Sequence, residues 1–201
     1  MSESAEQPPL ASRAGEKLRH ALDVFNIDVT GLRCADLGCN VGGFTDCLLR
    51  GGAASVVSVD TGYGVLAWRL RQDDRVDVRE RTNALHAEPP ADGVDLVVLD
   101  LGWTPQRHGL PAARSWLAEG GQIVSLVKPH YELDADQKRM HLKDGRLPDE
   151  VAETMLQAVL ASLDAMGLRS LGTTISPIRG GKSSRRGATG NREFLLHAEA
   201  C

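Results

Sequence analysis

Asp36-Leu37-Gly38-Cys39-Asn40-Val41-Gly42-Gly43-Phe44 places an acid, three glycines and an asparagine between the apolar run Leu32 to Leu37 and the helically spaced Phe44-Thr45-Asp46-Cys47-Leu48-Leu49. Glycines at such a turn let backbone approach a ligand and reach positive φ, and the helix start adds N–H donors. Asp60 ends the next apolar run, Val56 to Val59, at the distance where a carboxylate takes two ribose hydroxyls. The pair points to an adenosine-containing ligand, and spacing alone leaves a dinucleotide and S-adenosylmethionine both open. The turn is not Gly-x-Gly-x-x-Gly: an acid at its head and Asn40 between the glycines weaken the positive field a pyrophosphate wants, so a cationic methyl donor suits it better. Asp100 and Lys128 end two further apolar runs, Val94 to Leu99 and Gln122 to Val127. A lysine there needs a partner, and the residues alone allow either a salt bridge to Asp100 or a catalytic pair.

These residues require an alternating scaffold. Strands are predicted at Leu32–Leu37, Val56–Asp60, Val76–Val78, Val94–Leu99, Gln122–Val127, Leu168–Thr174 and Glu193–Ala198. Helices are predicted from Ser12 as N-cap through Phe25, after Gly43, over Pro111–Leu117 and over Asp149–Met166. The expected fold is α/β, a mostly parallel sheet of about seven strands with helices on both faces, in one domain over residues 12–201 after a flexible tail, 1–11. In such a sheet ligands bind outside the carboxyl ends of the strands, which puts Asp36, Asp60, Asp100 and Lys128 around one crevice. Pro129–Pro148 reads as a polar link without periodicity, longer than the ~4–6 residues of an ordinary connection. Trp68 and Trp116 fall at helical positions and are expected to pack, whereas Trp103 and Tyr131 could stack an unpaired base.

The 201 residues suit one domain, at roughly 100–200 residues each. No apolar run approaches the ~20 residues of a membrane span, and Met1 to Pro9 lacks the pattern of a secretory signal, so the expected setting is the cytoplasm. Cys34, Cys39, Cys47 and Cys201 show no Cys-x-x-Cys spacing and the histidines no ligand spacing; buried thiols and no metal are expected. Net charge is −4, so any nucleic-acid contact must be local. Arg179–Arg192, with five cations (Arg179, Lys182, Arg185, Arg186, Arg192) and no carboxylate, is the one strongly basic stretch.

Eight motifs in order carry a resemblance: Ser12-Arg13-Ala14-Gly15-Glu16-Lys17-Leu18, Gly42-Gly43-Phe44-Thr45, Val59-Asp60-Thr61-Gly62-Tyr63-Gly64, Glu80-Arg81-Thr82-Asn83, Val98-Leu99-Asp100-Leu101, Leu126-Val127-Lys128-Pro129, Ser176-Pro177 and Gly190-Asn191-Arg192-Glu193. Over residues 12–198 the chain resembles the catalytic domain of the hemolysin A (TlyA) type ribosomal RNA 2′-O-methyltransferases, in the FtsJ-like branch. The resemblance implies a Rossmann-like S-adenosylmethionine-dependent methyltransferase and a Lys-Asp-Lys-Glu tetrad on Lys17, Asp100, Lys128 and Glu193. It also implies a cofactor site of Asp36, Gly38, Asn40, Gly42, Gly43 and Phe44, with Asp60 toward the ribose and Thr82, Asn83 and Asp100 toward the adenine and methionine ends. The implied substrate is RNA, probed by Arg13, Lys182, Arg185, Arg186 and Arg192. Family members commonly carry an additional N-terminal RNA-binding module, which the basic stretch is expected to replace electrostatically.

The sequence departs from the family on the acceptor side. The usual Asp-Leu-Ser-Phe is Asp100-Leu101-Gly102-Trp103, and Lys-Pro-Gln-Phe-Glu is Lys128-Pro129-His130-Tyr131-Glu132. Two rival readings follow: a methyltransferase of the same fold acting on a small molecule, and a cofactor-binding protein without catalysis.

Overall fold

Short, near-continuous apolar runs dictate a sheet buried on both faces, and the computed structural model, which describes residues 9–181 and 190–201, has one. In chain order the elements are α1 (Ala14–Phe25), β1 (Arg33–Leu37), α2 (Gly43–Arg50), β2 (Ser55–Val59), α3 (Trp68–Arg71), β3 (Val76–Arg79), β4 (Val94–Leu99), α4 (Gln106–Arg114), β5 (Leu117–Val127), α5 (Pro129–Glu132), α6 (Ala135–His141), α7 (Asp149–Ala161), β6 (Leu168–Ile175) and β7 (Phe194–Ala200). The strand order is β3-β2-β1-β4-β5-β7-β6, and only β7 runs against its neighbours. This is the Rossmann-like α/β sheet expected.

Successive residues of each strand feed opposite cores. Leu37, Val59, Leu99, Ile123 and Phe194 pack with Leu110, Ala113 and Trp116 of the α4 region and Leu156 and Val159 of α7. Cys34, Val56, Leu96, Val98, Val124 and Leu195 pack with Leu18 and Leu22 of α1, Phe44 and Leu48 of α2, and Leu70 of α3. Strand order reverses between β1 and β4, and the crevice of such a sheet opens there. Four parallel strands end at Leu37, Val59, Leu99 and Val127, and Gly38, Asp60, Asp100 and Lys128 follow them directly. One register therefore delivers four candidate groups to one edge.

Local expectations fail where tertiary contacts win. The helix expected at Pro111–Leu117 runs from Gln106 to Arg114, because Glu132 accepts the Gln106 amide and starts it upstream of Pro111. Trp116 then lies beyond the helix, fully buried. Trp68 does not pack: it is 71% exposed, since the four-residue α3 turns Leu70, not Trp68, onto the core. The link 129–148 holds α5 and α6. None of α6 is buried, and a reciprocal capping box between Asp134 and Gln137 defines its start. The last long helix stops at Ala161, followed by a tight turn over Asp164–Met166. Ser12 is not the N-cap of α1; Arg13 holds that position without a side-chain bond. Residues 1–8 of the expected tail lie outside the described residues. Leu10 packs on the α1–α2 core and the Ala11 amide donates to Asp46 at 2.8 Å.

The two tryptophans give a stability contrast. Trp116→Ala should cost about 3–5 kcal/mol and Trp68→Ala less than about 0.5 kcal/mol in denaturant unfolding; equal losses would contradict this assignment of core and surface.

Candidate active site

The glycine turn is shaped by contacts behind it. Gly38 has φ +93°, and a Cβ there would sit 2.9 Å from the Asp100 carbonyl oxygen, so only glycine lets β1 and β4 close at this point. The Gly38 and Cys39 amides donate to the Val59 carbonyl at 2.9 and 3.0 Å. Asn40, at φ +48°, donates its amide to Asp60 at 2.8 Å, and the other Asp60 oxygen takes the Gly62 amide at 2.7 Å. Each oxygen keeps a lone pair for a hydroxyl. Glu80 holds the loop beyond Asp60 by accepting the Val65 amide and pairing with Arg71.

Asp36 is fully buried. One oxygen takes the Thr45 amide at 2.9 Å and its hydroxyl at 2.7 Å, and that hydroxyl also meets Ser58 at 2.8 Å. The other oxygen, Oδ1, has no partner. Burial, reinforced by Asp100 and Asp60, pushes the carboxyl up to about 7. An orphaned carboxylate oxygen among acids favours a cation.

A second cluster lies where α1, β4, β5 and β7 converge. Lys17 Nζ is 2.5 Å from Glu193, both side chains buried. Lys128 pairs with Asp100 and donates to the Leu101 carbonyl at 3.1 Å. Burial raises the Glu193 carboxyl, Lys17 and Lys128 lower it, and Asp100 raises it, so all four groups share one field. Gly180 covers Glu193 closely enough that a Cβ would overlap the carboxylate. A two-bond bridge between Gly180 and Asn191, at 2.9 and 3.0 Å, closes the base of the basic stretch.

Both clusters border a cavity of about 550 Å³. Of the residues singled out for a cofactor, Asp36, Gly38, Asn40, Gly43, Phe44, Asp60, Thr82, Asn83 and Asp100 line it. Gly42 is not among the lining residues: at φ +95° it caps α2 and faces Leu66 and Leu70, where a side chain would collide. Lys17 and Lys128 line the cavity, and Glu193 stands behind Lys17. Arg13 also lines it, donating to the Gly181 carbonyl. Arg192 spends its guanidinium on Asp149 (2.7 Å) and Glu153 (2.6 Å), which takes it out of the free cations expected for RNA. Lys182, Arg185 and Arg186 lie outside the described residues.

Sequence reasoning passed over Glu132 as a functional candidate. Its carboxyl is half-buried and pushed up to about 7, and it accepts the Gln106 amide through both oxygens. Its only sequence signal is its place four residues after Lys128. His130, beside it, is held down to about 4 by burial and Lys128. Trp103 and Tyr131 bring their rings within 5.2 Å at the same rim.

Glycine floor, ribose-spaced acid and four strand-end groups define a methyltransferase of the Rossmann-like class. An FtsJ-like methyltransferase family model matches residues 10–193, and the chain belongs to that family. It is 42% identical over 188 residues to the 16S/23S rRNA (cytidine-2′-O)-methyltransferase TlyA of Mycobacterium tuberculosis, covering 92% of this chain and 66% of that protein. It is 34% identical to Hemolysin A of Brachyspira hyodysenteriae, covering 92% of this chain and 75% of that one. A structure from Streptococcus thermophilus, provisionally named a hemolysin, superposes with a TM-score of 0.86 at 37% identity, covering 98% of this chain and 69% of that one. The chain thus spans about two thirds of the length of the first of these relatives.

S-adenosylmethionine is the cofactor the family implies, and the residues fit it. The glycine floor admits a ligand closely, Asp60 can take ribose hydroxyls, and the unpartnered Asp36 oxygen suits a cationic amino acid end. Among the described residues no cluster of His, Cys, Asp and Glu could hold a metal ion, and no helix is long and apolar enough to cross a membrane.

Asp36 and Glu132 keep their protons to about pH 7 when folded, but only to about pH 4 in an unfolded chain. At these two groups the folded state binds more protons across that window, so their contribution to stability falls as pH rises from about 4 to about 7, while His130, held down to about 4, contributes the opposite slope below its unfolded value near 6.5. Without cofactor, the melting temperature of the wild type relative to Asp36→Asn should therefore drop from about pH 4 to about pH 7; a difference that does not change with pH would contradict the raised carboxyl at Asp36.

Proposed function

We propose that residues 12–201 form a methyltransferase domain that transfers a methyl group from S-adenosylmethionine to a ribose 2′-hydroxyl of RNA, with ribosomal RNA as the substrate and the cytoplasm as the setting. The observation that carries this reading is the paired cluster Lys17–Glu193 and Lys128–Asp100 on the cavity wall. A sugar hydroxyl barely ionises near neutral pH, so it needs a base and a field favouring the developing alkoxide.

Lys128 supplies the base, taking the hydroxyl proton at Nζ. Asp100 and the Leu101 carbonyl fix where that nitrogen points. Lys17 supplies positive charge to the same oxygen, and Glu193, sealed under Gly180, keeps that ammonium in place. When bound, S-adenosylmethionine supplies an electrophilic methyl on a sulfonium. Asp36 and Asp60 orient it from either side of the glycine turn, with Thr82 and Asn83 across the cavity. Alignment of acceptor and donor then replaces several kcal/mol of barrier by positioning.

Three things support RNA as acceptor. The relative from M. tuberculosis is named for methylating ribosomal RNA. The exposed ring of Trp103 beside Tyr131 offers an unpaired base a stacking face. The stretch 179–192 holds five cations and no carboxylate, a local charge suited to phosphates.

Tritiated methyl transfer should label total RNA or ribosomal subunits. Lys128→Ala should reduce the rate about 10²–10⁴-fold, with cofactor affinity unchanged. A Lys128→Ala enzyme that turns over at close to the wild-type rate would remove Lys128 from the base role, and label confined to a small-molecule extract would establish the rival substrate.

A further inference from the structure

The acceptor end of the cavity has two rims built by different parts of the chain. One is the loop from Asp100 to Pro105, between β4 and α4; the other is Lys128 to Glu132, where β5 turns into α5. Each rim carries one member of the Asp100–Lys128 pair and one ring of the Trp103–Tyr131 pair. Neither rim can hold itself. α5 is a single turn of four residues, and Trp103 is 85% exposed in the left-handed region at φ +60°, a conformation that survives only where its surroundings impose it.

The surroundings that impose it centre on Glu132. The first amide of α4, on Gln106, follows Pro105, which offers no side-chain cap. Both Glu132 oxygens accept that amide, at 3.0 and 3.2 Å. The Gln106 side chain accepts from Ser125 Oγ at 2.8 Å and donates to the Leu126 carbonyl at 3.1 Å. Gln106 is thus fastened to the segment carrying Lys128 on both sides of that lysine. Its other end closed by Asp100 and Leu101 on Lys128, the loop bearing Trp103 has both ends tied to one rim. Glu132 is half-buried at this junction, with both oxygens turned to the Gln106 amide.

We propose that Glu132 is a positioning residue: its hold on the Gln106 amide sets the gap between the rims, fixes the Trp103–Tyr131 pair beside the cavity, and thereby determines how the acceptor nucleotide seats. The second half of this statement rests on the RNA reading above; the first does not.

The test labels the protein with 5-fluorotryptophan, assigns the Trp103 resonance through Trp103→Phe, and compares Glu132→Ala, Glu132→Asp and Glu132→Gln. Asp keeps the charge but is one methylene short, whereas Gln keeps an oxygen at the right reach. Glu132→Ala and Glu132→Asp should move the Trp103 fluorine signal while leaving those of Trp68 and Trp116 in place. Both should raise KM for RNA about tenfold with a smaller change in kcat, as expected for loss of one hydrogen bond. Glu132→Gln should restore signal and KM together, and affinity for S-adenosylmethionine should stay constant throughout. Should Glu132→Ala fail to fold, Glu132→Asp carries the comparison. A Trp103 signal that stays at its wild-type position in Glu132→Asp, or a Glu132→Gln protein that resembles Glu132→Asp, would overturn the proposal. If the wild type labels no RNA, the fluorine spectra alone decide: a shift reversed by Gln supports the positioning role, and its absence overturns it.

Discussion

A buried ammonium must be matched, and the match between Lys17 and Glu193 ties the opening helix to the last strand across 176 residues of sequence. Both side chains are out of water, so loss of either partner leaves an uncompensated charge, a far larger penalty than loss of a surface pair. The pair fixes how α1 crosses the ends of the sheet and pins the residue just before β7. β7 lies between β5 and β6, and Lys128 directly follows β5. One electrostatic contact therefore sets the placement of the second lysine and, through Asp100, of the β4 end.

The remainder of the cavity follows from where the strands stop. Residues immediately beyond β1, β2, β4 and β5 supply glycine, two acids and a lysine within one crevice, and the sheet's reversal between β1 and β4 leaves room for a ligand. Three carboxylates, Asp36, Asp60 and Asp100, border that space and influence one another. Their concentration gives the donor side a preference for positive charge, while the two lysines give the acceptor side a preference for developing negative charge. Methyl transfer from a cation to an alkoxide needs that polarity.

Sheet, strand ends and crevice were readable in the residues because a near-continuous apolar run is a local signal. So was the glycine turn, whose φ +93° at Gly38 demands glycine. Lys17 and Glu193 were not linked by any spacing; only resemblance to the TlyA-type family joined them, since an ion pair between chain ends leaves no periodic trace. Gly42 illustrates the opposite failure: its place in a glycine-rich turn suggested a ligand contact, whereas it makes room for Leu66 and Leu70. Trp68 misled for want of helix length, and α4 started early because Glu132, 26 residues downstream, caps it. Arg192 reads as a free cation until Asp149 and Glu153 arrive from α7. In each case the deciding partner is distant in sequence.

The central claim is that the acceptor is a ribose hydroxyl, and alkaline hydrolysis of the methylated product tests it most directly. A 2′-O-methyl group removes the nucleophile that cleaves the adjacent phosphodiester, so the account predicts that tritium from the wild-type reaction is recovered in an alkali-resistant dinucleotide. Recovery of the label in mononucleotides would place the methyl on a base and contradict it.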